Sequence, residues 1–225
     1  MREGVREMFK GFFQNCACPK GLAGKLMVAM MNYGPHAALA KWAFQHIQIA
    51  KTATALDVGC GGGGNVRRLL VCCENGHVVG VDQSEISVEK SRSYNEEAIR
   101  SGQCEIRQAD VAELPFPEAT FDVVTAFETV YFWPGLEKSF REIFRVMKPG
   151  GVFLVSNEST GHDKIAEKFS RIIDGMVPYT VEDIGDAMKK TGFTVIETDI
   201  DQRTNRIAVV GKKLTDVGQN SDQLR

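Results

Sequence analysis

The stretch Ala55-Leu56-Asp57-Val58-Gly59-Cys60-Gly61-Gly62-Gly63-Gly64-Asn65 constrains the fold more than any other part of the chain. Ala55, Leu56 and Val58 make a short apolar run, the end of a buried strand. Four consecutive glycines follow Cys60 and leave no Cβ on the turn. Val66, Leu69, Leu70 and Cys73 then recur at the spacing of one helical face. Strand, glycine turn and helix in that order predict free backbone N–H groups and a positive helix end at one spot. They also predict a main chain bare enough for a ligand to approach closely. A nucleotide-type cofactor site is the implied use.

The rest of the chain repeats the alternation. His77 to Val81 reads as a second strand that ends at Asp82, eighteen positions after Gly64. A helix is expected from about Ser84 to Ser101, closed at Gly102, followed by a short strand over 104–107. Phe121 to Phe127 is a fourth strand, and the helix near 134–147 carries Leu136, Phe140, Ile143, Phe144 and Met147 on one face. Lys148-Pro149-Gly150-Gly151 turns into a fifth strand, Val152 to Ser156. A helix over 163–174 and another opened by a capping box at Thr180 come next. The last two strands, 193–200 and 206–210, are linked so tightly that they must form an antiparallel hairpin. The expected fold class is therefore α/β: a Rossmann-like, seven-stranded, mostly parallel sheet with helices on both faces and the last strand antiparallel.

Ahead of this unit, residues 22–32 and 36–48 read as two amphipathic helices broken at Gly34-Pro35, with Phe9, Phe12 and Phe13 clustered before them. The expected organisation is an N-terminal helical cap over 1–50, a cofactor-binding domain over 51–213 and a polar tail over 214–225. With 27 basic and 29 acidic residues the net charge is −2, so no global positive field draws the chain to nucleic acid. The cysteines at 16, 18, 60, 72, 73 and 104 have neither zinc nor disulfide-framework spacing, and reduced thiols are expected. Cys16-Ala17-Cys18 lacks partners to complete four ligands, so no metal is expected. No segment reads as a membrane span or signal peptide, and a cytoplasmic protein is expected. A homodimer is left open.

Two cofactor readings fit the glycines. Gly59, Gly61 and Gly64 satisfy the dinucleotide spacing, which would suit a nicotinamide-dependent oxidoreductase. Asp57 with Gly59, Gly61 and Gly63 satisfies D-x-G-x-G-x-G, and here the chain resembles the class I S-adenosylmethionine-dependent methyltransferases. The resemblance extends in order through Asp82, Asp110, Phe121 to Val124, Pro149-Gly150-Gly151 and the final hairpin, covering roughly residues 50 to 212. The hairpin conflicts with the six parallel strands of a dinucleotide fold. Within the family the resemblance leans toward small-molecule enzymes, including the quinone-pathway C-methyltransferase-like group. Phe127-Glu128-Thr129-Val130 lacks the Asn/Asp-Pro-Pro-aromatic signature of the adenine-amine enzymes.

The resemblance implies S-adenosyl-L-methionine as cofactor and assigns roles. Gly59, Gly61 and Gly63, with Cys60 between them, close on the methionine part. Asp57 helps hold the loop and the cofactor's amino group. Asp82 accepts the ribose hydroxyls, with Gln83 beside it as a ribose or adenine contact or an ordinary helix-entry residue. Asp110 accepts from the adenine amine, the Val111 N–H donates to the ring, and the Phe127 carbonyl faces the cofactor's amine. Should the acceptor need a base, Glu128, His36 and Tyr33 are the catalytic candidates. Tyr131, Phe132 and Trp133 suggest an aromatic or lipid-like small-molecule acceptor. A non-catalytic S-adenosylmethionine-binding subunit would show the same cofactor residues.

Overall fold

The seven expected strands form one sheet in the computed structural model, which describes residues 11, 13–17, 19–30 and 32–215. They are β1 (Thr54–Val58), β2 (His77–Asp82), β3 (Cys104–Gln108), β4 (Phe121–Phe127), β5 (Met147–Asn157), β6 (Ile196–Asp201) and β7 (Arg206–Lys212). Their order is β3-β2-β1-β4-β5-β7-β6. β7 runs antiparallel to both β5 and β6, and every other neighbouring pair is parallel. The chain reverses direction across the sheet between β3 and β4, beside β1. That switch point opens a crevice at the strands' carboxyl ends, where the glycine loop lies.

Period-two alternation sorts the strand residues onto two faces. Leu56, Val58, Val79, Val81, Val124 and Phe153 pack on one side with Phe140, Ile143, Ile184 and Met188. The last four come from α6 (Leu136–Val146) and α8 (Val181–Lys190). Ala55, Val78, Ile106 and Val123 point the other way, onto Val66 and Leu69 of α3 (Gly64–Cys72) and Val88 of α4 (Glu85–Tyr94). The remainder of that second face, at Leu154, Ala208 and Val210, is covered by Leu39, Ala40 and Ala43 of α2 (Pro35–Ala43). α2 is thus a layer of the sandwich as well as a wall of the site. α1 (Gly21–Met30) packs against α4 instead.

Three elements differ from expectation. The helix over 84–101 is two, α4 and α5 (Glu96–Arg100). Asn95 separates them: it is fully buried, and its Nδ2 donates to the carbonyls of Ser91 (3.0 Å) and Gly63 (3.1 Å). A side chain that bonds to the preceding turn competes with the helical ladder. The Pro149-Gly150-Gly151 turn lies inside β5 as a register shift against β4, with Gly150 at φ 82°. The helix expected over 163–174 is shorter, α7 (Lys164–Ser170). The capping box is present: Thr180 Oγ1 accepts from the Asp183 N–H at 3.0 Å, and Asp183 Oδ2 accepts from the Thr180 N–H at 2.9 Å. The clustering of Phe9 and Phe12 with Phe13 and most of the polar tail fall outside the described residues.

Candidate active site

A cavity of about 540 Å³ opens at the carboxyl edge of the sheet, within the usual range for small-molecule sites. Gly59, Cys60, Gly61 and Gly62 form one wall, Asp82, Gln83, Asp110 and Val111 another. Phe127, Glu128, Tyr131, Phe132 and Trp133 close the far end, and Phe13, His36 and Leu39 form the N-terminal side.

The glycine loop is built differently from the sequence expectation. Five of the six N–H groups from Gly59 to Gly64 are already bonded within the protein. Gly59 and Cys60 both donate to the Val81 carbonyl (2.8 and 2.9 Å), and Gly63 donates to the Cys60 carbonyl at 2.9 Å. Gly61 donates to Asp82 Oδ2 at 2.9 Å and Gly64 to Asn32 Oδ1 at 3.0 Å. The leading N–H of the helix, at Gly64, is therefore taken. A pyrophosphate needs such donors; a ligand that needs room does not. What the glycines allow is close packing of the wall against Thr129 and Asn32. Gly59 has φ 73°, and a Cβ there would lie 2.2 Å from Thr129 Oγ1. Gly61, at φ 50°, turns its N–H onto Asp82. Gly63 caps α3 from behind the wall and does not line the cavity.

Asp82 is a brace as well as a wall. Oδ2 accepts from Gly61 and Oδ1 from the Ser84 N–H at 2.9 Å. Burial raises its carboxyl above the ordinary range, against the pull of those two bonds and of the Ser87 hydroxyl. Asp57 does not line the cavity. It is 1% exposed, beneath the loop, and accepts from Thr125 Oγ1 at 2.7 Å. Burial pushes its carboxyl up to about 7. Its place is under the glycine wall, between β1 and β4.

Gln83 and Asp110 are exposed at the cavity rim; Asp110 Oδ1 accepts from the Ala112 N–H at 2.8 Å. Val111 and Phe127 are buried in its walls. Cys60 is buried against Ser91, with a thiol raised well above its usual value by burial.

At the far end Glu128 adopts φ 56°, a left-handed backbone uncommon for a residue with a side chain. The turn follows β4 directly, where the Glu128 N–H still donates to the Ser156 carbonyl at 3.0 Å. Its Oε2 accepts from the Tyr131 hydroxyl at 2.7 Å, and Oε1 accepts from the Glu158 N–H. Burial, ahead of these bonds, pushes the carboxyl up to about 7. His36 joins Glu128 and Glu158 closely enough for one ligand atom from each to lie within 4.8 Å of the others. Sequence reading saw no such constellation because 92 residues separate the first two, and 30 the last two. Tyr33 is a correction. It is 63% exposed, outside the cavity, because the turn between α1 and α2 sends its side chain to solvent while its neighbour Asn32 turns inward.

Asn32 and Thr129 were missed. The Asn32 amide donates to the Gly62 carbonyl at 2.8 Å and accepts from Gly64, tying the N-terminal segment to the glycine wall. Thr129 fills the space that Gly59 leaves and accepts from Trp133 Nε1 at 3.1 Å. Neither carries a local signal, since each acts on backbone distant in sequence.

The comparisons with known proteins bear on the domain and its fold. Residues 56–155 match the family model described as a methyltransferase domain. The sterol 24-C-methyltransferase of Neurospora crassa is 32% identical over 161 residues, 67% of this chain and 42% of that protein. The Eremothecium gossypii sterol 24-C-methyltransferase is 34% identical over the same shares. The chain thus spans less than half the length of these curated relatives. Among solved structures, an S-adenosylmethionine-dependent methyltransferase from Aquifex aeolicus superposes with a TM-score of 0.69 at 17% identity, over 84% of this chain and 98% of that one. The single reversed strand and these likenesses lead to one conclusion: residues 56–155 are a methyltransferase domain, set in the sheet topology of the class I S-adenosylmethionine-dependent fold.

Proposed function

We propose that this chain transfers a methyl group from S-adenosylmethionine to a lipid-like small-molecule acceptor of the sterol kind. The observation that carries the reading is one cavity with two unlike ends. A wall without side chains, braced by Asp82, is continuous with a pocket of aromatic and aliphatic side chains. The donor fits the first end on structural grounds. Thr129 and Asn32 pack so closely behind Gly59 and Gly62 that neither position has room for a Cβ, and Asp82 stands on the facing wall of the same cavity. Gly59 to Gly62 would hold the methionine part, Asp82 the ribose, and Asp110 with Val111 the adenine.

When bound, the donor supplies a methyl group on a positively charged sulfur, already activated for displacement. What remains for the protein is alignment, which can lower such a barrier by roughly 7–11 kcal/mol. Phe127, Tyr131, Phe132 and Trp133 give the acceptor an apolar seat and keep water from the donor. Glu128, Glu158 and His36 form a polar patch in that seat for the acceptor's polar group. The sterol class is supported by what the relatives' names say they act on. Among the described residues no helix is long and apolar enough to cross a membrane.

Incubation with methyl-labelled S-adenosylmethionine and a panel of sterols, quinones and small charged acceptors tests the reading. Label in a solvent-extractable sterol product is the expected result. Label only on charged acceptors would remove the lipid-like class. Donor binding with no product from any member of the panel would favour a non-catalytic subunit.

A further inference from the structure

We propose that His36, Glu128 and Glu158 form a divalent-cation site in the acceptor half of the cavity. The three come from separate elements: the first turn of α2, the residue after β4 and the residue after β5. Their ligand atoms converge within 4.8 Å of one another. An ion about 2.1 Å from each of two donors spans at most about 4.2 Å, so the three side chains would close further on an ion held between them.

The state of the donor atoms points to a missing positive partner. Glu158 Oε1 is buried and has no hydrogen-bond partner. A buried carboxylate oxygen left unpaired is costly, and its usual partner is a cation or a donor group. Glu128 is held in place by the Tyr131 hydroxyl and the Glu158 N–H, one bond on each oxygen, so a second lone pair on each stays available. The only described side-chain donor on it is therefore a neutral phenol. His36 lines the same cavity and contributes an imidazole nitrogen to the cluster.

Two carboxylates with one imidazole and no thiolate suit a borderline-hard divalent ion such as Mn²⁺. Such an ion would hold Glu128 ionised as a ligand, in place of the proton-accepting role expected from sequence. Its open positions would receive an oxygen substituent of the acceptor. The site does not depend on the methyl-transfer reading, because none of its three ligands belongs to the donor wall.

The test is a Mn²⁺ titration of the chelator-treated full chain, with free Mn²⁺ followed by electron paramagnetic resonance. The wild type is expected to bind one ion per chain. H36Q and E158Q are each expected to weaken binding at least about tenfold, and E182Q, on the exposed face of α8, to leave it unchanged. Circular dichroism melts of the same variants check folding without reference to any ligand. Absence of stoichiometric binding by the wild type at millimolar Mn²⁺ would overturn the proposal. So would a site that survives undiminished in folded H36Q and E158Q.

Discussion

The two ends of the cavity are made by opposite means. The donor wall is main chain whose N–H groups are already bonded, five of the six from Gly59 to Gly64, so it offers shape and little charge. The acceptor end is side chain, with two carboxyl groups and an imidazole brought together in a largely apolar pocket. The first design tolerates no added atom. The second tolerates exchange of aromatic walls but not loss of its polar partners. On the function proposed above, one end is thereby fixed to a single ligand, and the other is free to differ between acceptors.

Substitutions can break this contrast, and the largest effect is expected at Gly59. Gly59→Ala adds a Cβ 2.2 Å from Thr129 Oγ1 at φ 73°. Left-handed backbone alone costs a non-glycine residue about 1–2 kcal/mol, and the clash adds to it. S-adenosylhomocysteine affinity measured by calorimetry should fall at least about 100-fold, roughly 2.7 kcal/mol. Next comes Asp82→Ala, which removes the acceptor of the Gly61 and Ser84 N–H groups together with the proposed ribose contact. A loss of roughly 1.5–3 kcal/mol in donor affinity is expected for a charged hydrogen bond, with a lower melting temperature because the brace goes too. Unchanged affinity would remove Asp82 from the site.

Asn32→Ala cuts both hydrogen bonds between the N-terminal segment and the glycine wall. About 1–2 kcal/mol of stability should be lost, read in urea unfolding, with faster amide exchange at residues 59–64. A smaller effect concerns Asp57, whose folded pKa of about 7 lies above the ordinary carboxylate value. Between about pH 4 and 7 the folded state then holds a proton that the unfolded state has released, so stability declines as pH rises through that window. The melting temperature should therefore fall between pH 5 and 8 more in the wild type than in Asp57→Asn, which cannot titrate. Equal slopes would mean that Asp57 is ionised throughout. Least of all should change with Tyr131→Phe, which removes a hydroxyl from the acceptor end. Donor affinity is expected to stay within about twofold, and a larger change would mean that the two ends are not independent.

The same contrast explains what could be read in advance. The strands, the closing hairpin and the strand–glycine loop–helix unit follow from local signals: apolar runs, glycine spacing and a short link. The Thr180 capping box was legible for the same reason. Asn95 was not, since its bond to the Gly63 carbonyl crosses 32 residues and divides a stretch whose periodicity reads as one helix. Most of the glycine-loop N–H groups looked available because their acceptors, at Val81, Asp82 and Asn32, lie outside the motif. Tyr33 and His36 looked equivalent at the Gly34-Pro35 break, and only the direction of the turn separates an exposed phenol from a cavity imidazole. The meeting of His36, Glu128 and Glu158 depends on how three elements pack, which no spacing encodes.

Calorimetry of the purified chain with S-adenosylhomocysteine and with NADH, side by side, tests the central claim most directly. A wall of committed N–H groups with Asp82 behind it should bind one S-adenosylhomocysteine per chain and give no heat with NADH. Binding of NADH in preference would show that the wall receives a pyrophosphate after all, and would contradict the account.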